Sequence, residues 1–227
     1  MSTFPNWISW SVGGHVLGGI VALLTFSIPL ISAKGGKLHV RSGWAYVFGM
    51  GVVCLSAFIV TPWRYFADPG RTAETQSFAL FLGFLAVFAL TCVQQGIIVF
   101  RHKGRVAPIK TLETLGLPAA LLLAGAGTVA YGLANSNWLF VIFAGFGLNS
   151  TFSQIRFWFS PVRHSQAGRI FHLENMIVAS IATVTAFLVT AVPRILPGAP
   201  VHSVWVWLLP TFVLVPTMIT FKTKYSR

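Results

Sequence analysis

Seven uninterrupted apolar runs, each long enough to cross the hydrocarbon core of a bilayer, constrain this chain more than any other feature. They cover Trp10–Ile31, Trp44–Pro62, Gln76–Phe100, Thr114–Tyr131, Trp138–Phe159, Phe171–Val192 and Val204–Phe221, with short polar connections between them. An unpaired peptide group in hydrocarbon costs several kcal/mol, so only helices or closed barrels can span there, and these runs lack the two-residue alternation of barrel strands. The expected fold is all-α: a seven-helix transmembrane bundle forming one domain over residues 1–227. Charged residues make up only 9% of the chain against 55% apolar, so lipid rather than water has to be its main solvent. The first run is longer than a signal-peptide core and is not preceded by Lys or Arg, so it reads as a retained span.

Basic residues near span ends are held on the cytoplasmic side, and their distribution here is lopsided. Thirteen of the sixteen fall on one side, in or beside the connections at Lys34–Arg41, Arg101–Lys110, Arg156–Arg169 and Lys222–Arg227. Arg64, Arg71 and Arg194 fall on the other. The N-terminus is therefore expected outside and the C-terminus in the cytoplasm. The net charge of +12 is accounted for by these topology signals beside anionic headgroups, which argues against nucleic acid as a partner and for the lipid bilayer. Tryptophan prefers the headgroup boundary, and the pattern agrees: Trp7, Trp10, Trp63, Trp138, Trp205 and Trp207 fall at outer boundaries, Trp44 and Trp158 at inner ones. Pro210 and Pro216 are expected to kink the last helix. Cys54 and Cys92 lie within apolar runs and read as small packing residues.

An ionisable group inside a span is costly and marks a functional candidate. Glu174 is the one acidic residue within a run, and His172 and Asn175 share a helical face near it. In the fifth span Gly145, Asn149, Ser153, Arg156 and Ser160 recur at three- and four-residue intervals, a stripe expected to face protein. Arg156 lies at a depth similar to Glu174, and pairing the two would lower the cost of burying either. Gln94 and Gln95 reach the same half of the membrane. The alternative is that these groups hold helices together by hydrogen bonds and an ion pair.

Imidazole serves as a haem or metal ligand or as a proton relay. His102, His164 and His202 sit in connections, where solvent-facing histidines seldom do so. His15 is followed along one face by Gly18, Gly19 and Ala22, which points it into the bundle, either toward a flat cofactor or as a hydrogen bond across a helix-packing motif. No H-E-x-x-H, histidine box or C-x-x-C is present, so any ligand set has to be assembled from different helices.

Three segments carry a resemblance. They are His15 with Gly18, Gly19 and Ala22; the run from Gly36 through Lys37, His39 and Arg41 to Gly43, Trp44 and Tyr46; and His172 through Met176 to Thr185-Ala186-Phe187. Together they resemble an uncharacterised family of bacterial multi-span proteins, a membrane domain of unknown function. The resemblance implies the multi-span fold, a bacterial inner membrane and the choice of His15, His39 and His172, and it names no reaction.

Three functions stay open on these residues. The favoured one is a membrane redox protein or enzyme, with a b-type haem or a metal ion on His39 and His172, Arg156 and Glu174 as reactive groups, a second site at His15, and Asn149, Ser153, Asn175 and Gln94 as polar support. The others are a proton-coupled carrier of a small solute, and a non-catalytic assembly subunit whose partners are other membrane proteins or further copies of itself.

Overall fold

A computed structural model of the chain describes residues 5–161, 165–196 and 204–226. His164 and His202, with Arg163, lie outside them. The described residues form nine helices: α1 (Asn6–Thr25), α2 (Ser27–Ile31), α3 (Lys37–Phe66), α4 (Ala73–Ile98), α5 (Leu112–Ala134), α6 (Trp138–Phe159), α7 (Ala167–Thr190), α8 (Val192–Ile195) and α9 (Val204–Ser226). Among these residues seven helical stretches are long and apolar enough to span a membrane, one for each apolar run, with α1 and α2 sharing the first and α7 and α8 the sixth. The fold is all-α, as the absence of any internal partner for strand edges in lipid requires. Large apolar side chains such as Leu24, Phe48, Leu123 and Phe152 stand exposed along the helices, the surface of a protein bathed in acyl chains.

The helices run several residues past the apolar runs. α3 begins at Lys37 rather than Trp44, because the polar turn carrying Lys37, His39 and Arg41 continues the same hydrogen-bond ladder. The first run divides at Phe26. Pro29 has no N–H to give the Thr25 carbonyl and its ring crowds that turn, which is enough to end α1 there. Pro210 and Pro216 do not divide α9, which continues from Val204 to Ser226 through both.

Contacts separate the chain, within α4, into a unit of Met1–Ala86 and a unit of Val87–Arg227. In the first, α1 crosses α3 at Gly18 and Gly49, so closely that a Cβ on Gly49 would stand 2.7 Å from the Gly18 carbonyl oxygen and 3.0 Å from the Ala22 nitrogen. Small residues give this close approach of backbones, which is how helices attract one another where no hydrophobic effect operates. Gly49→Ala should therefore lower unfolding stability by about 1–3 kcal/mol, because backbone atoms cannot move aside as a flexible side chain would. Gly51→Ala, whose Cβ would meet nothing within 4 Å, should be neutral or slightly stabilising. The rate of thiol labelling at Cys54, buried on α3, would report both.

The second unit contains the rest of α4 with α5 to α9. Its α5–α6 hairpin turns tightly because Gly132 leaves room for Phe140 and Val141, and Asn137 caps α6 by accepting from the Phe140 N–H. Thr111 and Thr114 form a reciprocal capping box at the start of α5.

Candidate functional site

Four helices of the second unit converge on a polar core at the end of the bundle that carries most of the basic residues. Trp158, fully buried on α6, is its centre. The indole Nε1–H donates to Gln95 Oε1 on α4 at 2.5 Å, and Gln95 Nε2 donates in turn to Gln94 Oε1 and to the Thr114 carbonyl of α5. One turn earlier on α6, Gln154 Nε2 donates to Asn175 Oδ1 of α7 at 2.8 Å and approaches Cys92 Sγ, while Asn175 Nδ2 donates to the Phe171 carbonyl. Among the described residues Gln154 Oε1 and Thr151 Oγ1 are buried with no partner. Phe157 stacks on Phe171 with ring centroids 3.9 Å apart, closing the apolar side.

The segment from Val99 to Lys110 folds over the end of α6. A helix terminus leaves its last four carbonyls without helical donors, and Arg105 supplies two of them: its guanidinium donates to the Phe157 carbonyl at 2.5 Å and the Ser160 carbonyl at 3.0 Å. The Ile109 N–H supplies a third, at Trp158. The Arg105 cation lies over both the Phe157 and Trp158 rings and faces the negative end of the α6 dipole. Partial burial lowers its pKa, yet a guanidinium stays charged at any physiological pH. Beside it, Arg101 pairs with Glu113 at 2.7 Å, and His102 sits edge-on to Trp158 with Nε2 3.5 Å from the other Glu113 oxygen.

The histidines and charges singled out from sequence have specific places. His172 donates from Nδ1 to the Gly96 carbonyl at 2.7 Å, an acceptor left over where α4 ends, and its ring lies against Phe100. His39, in the first unit, donates from Nδ1 to the Pro29 carbonyl, where Lys34 also caps the end of α2. A carbonyl only accepts, so each ring carries its proton on Nδ1. His15 bonds Ser56 Oγ across the α1–α3 contact at 3.0 Å, and Ser56 is within 2.7 Å of its own Val52 carbonyl. A hydrogen bond across the α1–α3 contact is what the helix-packing reading of His15 expects. His39 and His15 belong to one unit and His172 to the other. Among the described residues no three His, Cys, Asp or Glu side chains gather as a metal would require.

Three expectations are corrected. Glu174 does not pair with Arg156; its Oε1 accepts from Lys222 of α9 at 2.5 Å. α7 packs on α9, which brings the last turns of α9 to the first turns of α7, whereas Arg156 is exposed. The stripe of Gly145, Asn149, Ser153 and Arg156 likewise faces out rather than in. α6 buries Phe140, Phe143, Ala144, Gly147, Thr151, Gln154 and Trp158 instead, the face whose Trp158 and Gln154 bond to Gln95 of α4 and Asn175 of α7. Of the proposed polar support, Asn175 and Gln94 lie in the core network, Gln94 donating to the Glu113 carbonyl, while Asn149 and Ser153 do not. Trp63, Trp158 and Trp207 are packed inside rather than set as boundary anchors, Trp207 against Phe143. Gln154 and Arg105 were not singled out by sequence. Gln154, three residues after Thr151 and four before Trp158, could have been found as the second polar stripe of α6.

Fold and site together define a multi-pass, all-α membrane protein with an internally bonded polar core. No protein family, curated protein or solved structure matches the chain.

Proposed function

We propose that the protein is a non-catalytic assembly subunit of a bacterial inner membrane, one transmembrane domain with its N-terminus outside and its C-terminus in the cytoplasm. One contrast carries the reading. The side chains best suited to chemistry, His15, His39, His172 and Glu174, are each bonded to the chain's own backbone or side chains, whereas Asn149 and Ser153 of the outer α6 stripe are exposed and their side chains make no hydrogen bond among the described residues. Polar groups that bond within the chain hold helices together; polar groups that face lipid call for another protein. Among the described residues no three His, Cys, Asp or Glu side chains gather as a metal ion would require, and His15, His39 and His172 each commit a ring nitrogen to a hydrogen bond within the chain. The excess of Lys and Arg on one side supports the orientation.

The test is the mass and absorbance of the protein extracted in a mild detergent or lipid nanodisc. A particle heavier than one chain, without a Soret band, is the expected result. A monomer carrying a stoichiometric haem or metal ion would overturn the proposal. In intact cells a C-terminal tag should be protected from added protease, and cleavage of that tag would reverse the orientation.

A further inference from the structure

α6 carries two polar stripes, and among the described residues only one of them has partners. Thr151, Gln154 and Trp158 turn into the second unit; Gly145, Asn149 and Ser153, four residues apart, turn out, with Phe146 and Phe152 beside them. Asn149 is near the midpoint of the helix, where a bilayer offers neither donors nor acceptors. Among the described residues its amide makes no hydrogen bond. Nor does Ser153 return its hydroxyl to the carbonyl four residues back, as Thr25, Ser42, Ser56, Thr91 and Thr128 all do. Gly145 adds to this. A Cβ there would meet nothing within 4 Å, whereas Gly125 and Gly132 are needed beneath Leu148 and Val141.

We infer that α6 pairs with α6 of a second copy of this chain, about a two-fold axis that passes beside Asn149. The inference rests on the assembly reading and names its partner. A carboxamide is donor and acceptor at once, so it complements itself: Nδ2–H of each Asn149 donates to Oδ1 of the other. A two-fold axis places a residue opposite its own copy and thereby satisfies both amides with one contact. Gly145 and Ser153, one turn to either side, let the two backbones approach, and Phe146 and Phe152 pack as ridges along the seam. The crossing spreads the helices toward Arg156, whose long side chain reaches headgroup phosphates rather than its counterpart.

Cysteine crosslinking in native membranes tests this. Asn149→Cys should form a disulfide-linked dimer on mild oxidation, whereas the wild-type chain, whose Cys54 and Cys92 are buried, and Leu123→Cys, on the exposed face of α5, should not. Asn149→Leu should raise the dimer dissociation constant roughly tenfold, with Asn149→Gln recovering most of the loss. Crosslinking at Leu123 as readily as at Asn149 would reveal chance collision and sink the inference. No dimer through residue 149 in a particle still heavier than one chain would overturn it too, while leaving the assembly reading intact. A monomeric particle would end both.

Discussion

Trp158→Ala should lower the unfolding free energy of the second unit by about 4–6 kcal/mol. Deleting a fully buried tryptophan costs roughly 3–5 kcal/mol through lost transfer energy and the cavity left behind. The same substitution strands Gln95 Oε1, which is fully buried and accepts the indole proton, and an orphaned buried acceptor costs a further 1–3 kcal/mol or so. Membrane helices without their tertiary contacts still find some partners, which keeps the total near the lower bound of that sum. Against a total stability on the order of 5–15 kcal/mol, this is a large fraction of what a domain has. Trp158→Phe separates the two contributions: it keeps most of the ring contact with Phe157 and Phe171 and loses the hydrogen bond, so it should fall about 1–3 kcal/mol. Thiol labelling reads the result unit by unit. Cys92, buried on α4 and beside Gln154, should become reactive, while Cys54, buried in the first unit, should change little. Equal acceleration at both thiols, or none at either, would contradict the placement of Trp158 as the centre of one unit.

The spans were legible in the sequence because their cause is one-dimensional: an apolar run has to be helical wherever it meets lipid, whatever it packs against. Their ends were less so. At Lys37 the helix outruns the apolar pattern, and at Phe26, one turn before Pro29, it breaks within one, since backbone ladders answer to hydrogen-bond donors rather than to hydropathy. The site was harder. α6 has polar residues on two faces, and helical periodicity shows that Asn149 aligns with Ser153, and Thr151 with Gln154 and Trp158, without showing which face meets protein. That choice is made by what the neighbouring helices present, Gln95 of α4 to Trp158 and Asn175 of α7 to Gln154. Glu174 was expected beside Arg156, and its partner is instead Lys222, forty-eight positions away on a helix that periodicity cannot bring near. Tryptophan misled for a similar reason: Trp10 and Trp138 are exposed, as a boundary residue would be, whereas Trp158 is buried because its N–H finds Gln95 instead of water.

Arg105 was counted in the sequence only as one of the basic residues that set orientation, yet its removal should have the second-largest effect. Arg105→Ala deprives the Phe157 and Ser160 carbonyls of their donor and removes a cation from two aromatic faces at the negative end of α6. A charged hydrogen bond is worth about 1.5–3 kcal/mol and a cation over an aromatic ring about 0.5–2, and the group is partly exposed, so a loss of roughly 2–4 kcal/mol is expected. Arg105→Lys keeps the charge and most of the stem but presents a single ammonium where the carbonyls require a planar fork, so it should recover less than half of that loss. Full recovery by lysine would mean that the charge alone mattered, through the helix dipole and the headgroups. Because Arg105 lies on the Trp158 ring, the two residues should not act additively: the Arg105→Ala, Trp158→Ala pair should fall short of the sum of the single losses by about 0.5–3 kcal/mol. Strict additivity would mean that the loop and the polar core are held independently, and the Val99–Lys110 segment would then be a cover laid over the core rather than part of it.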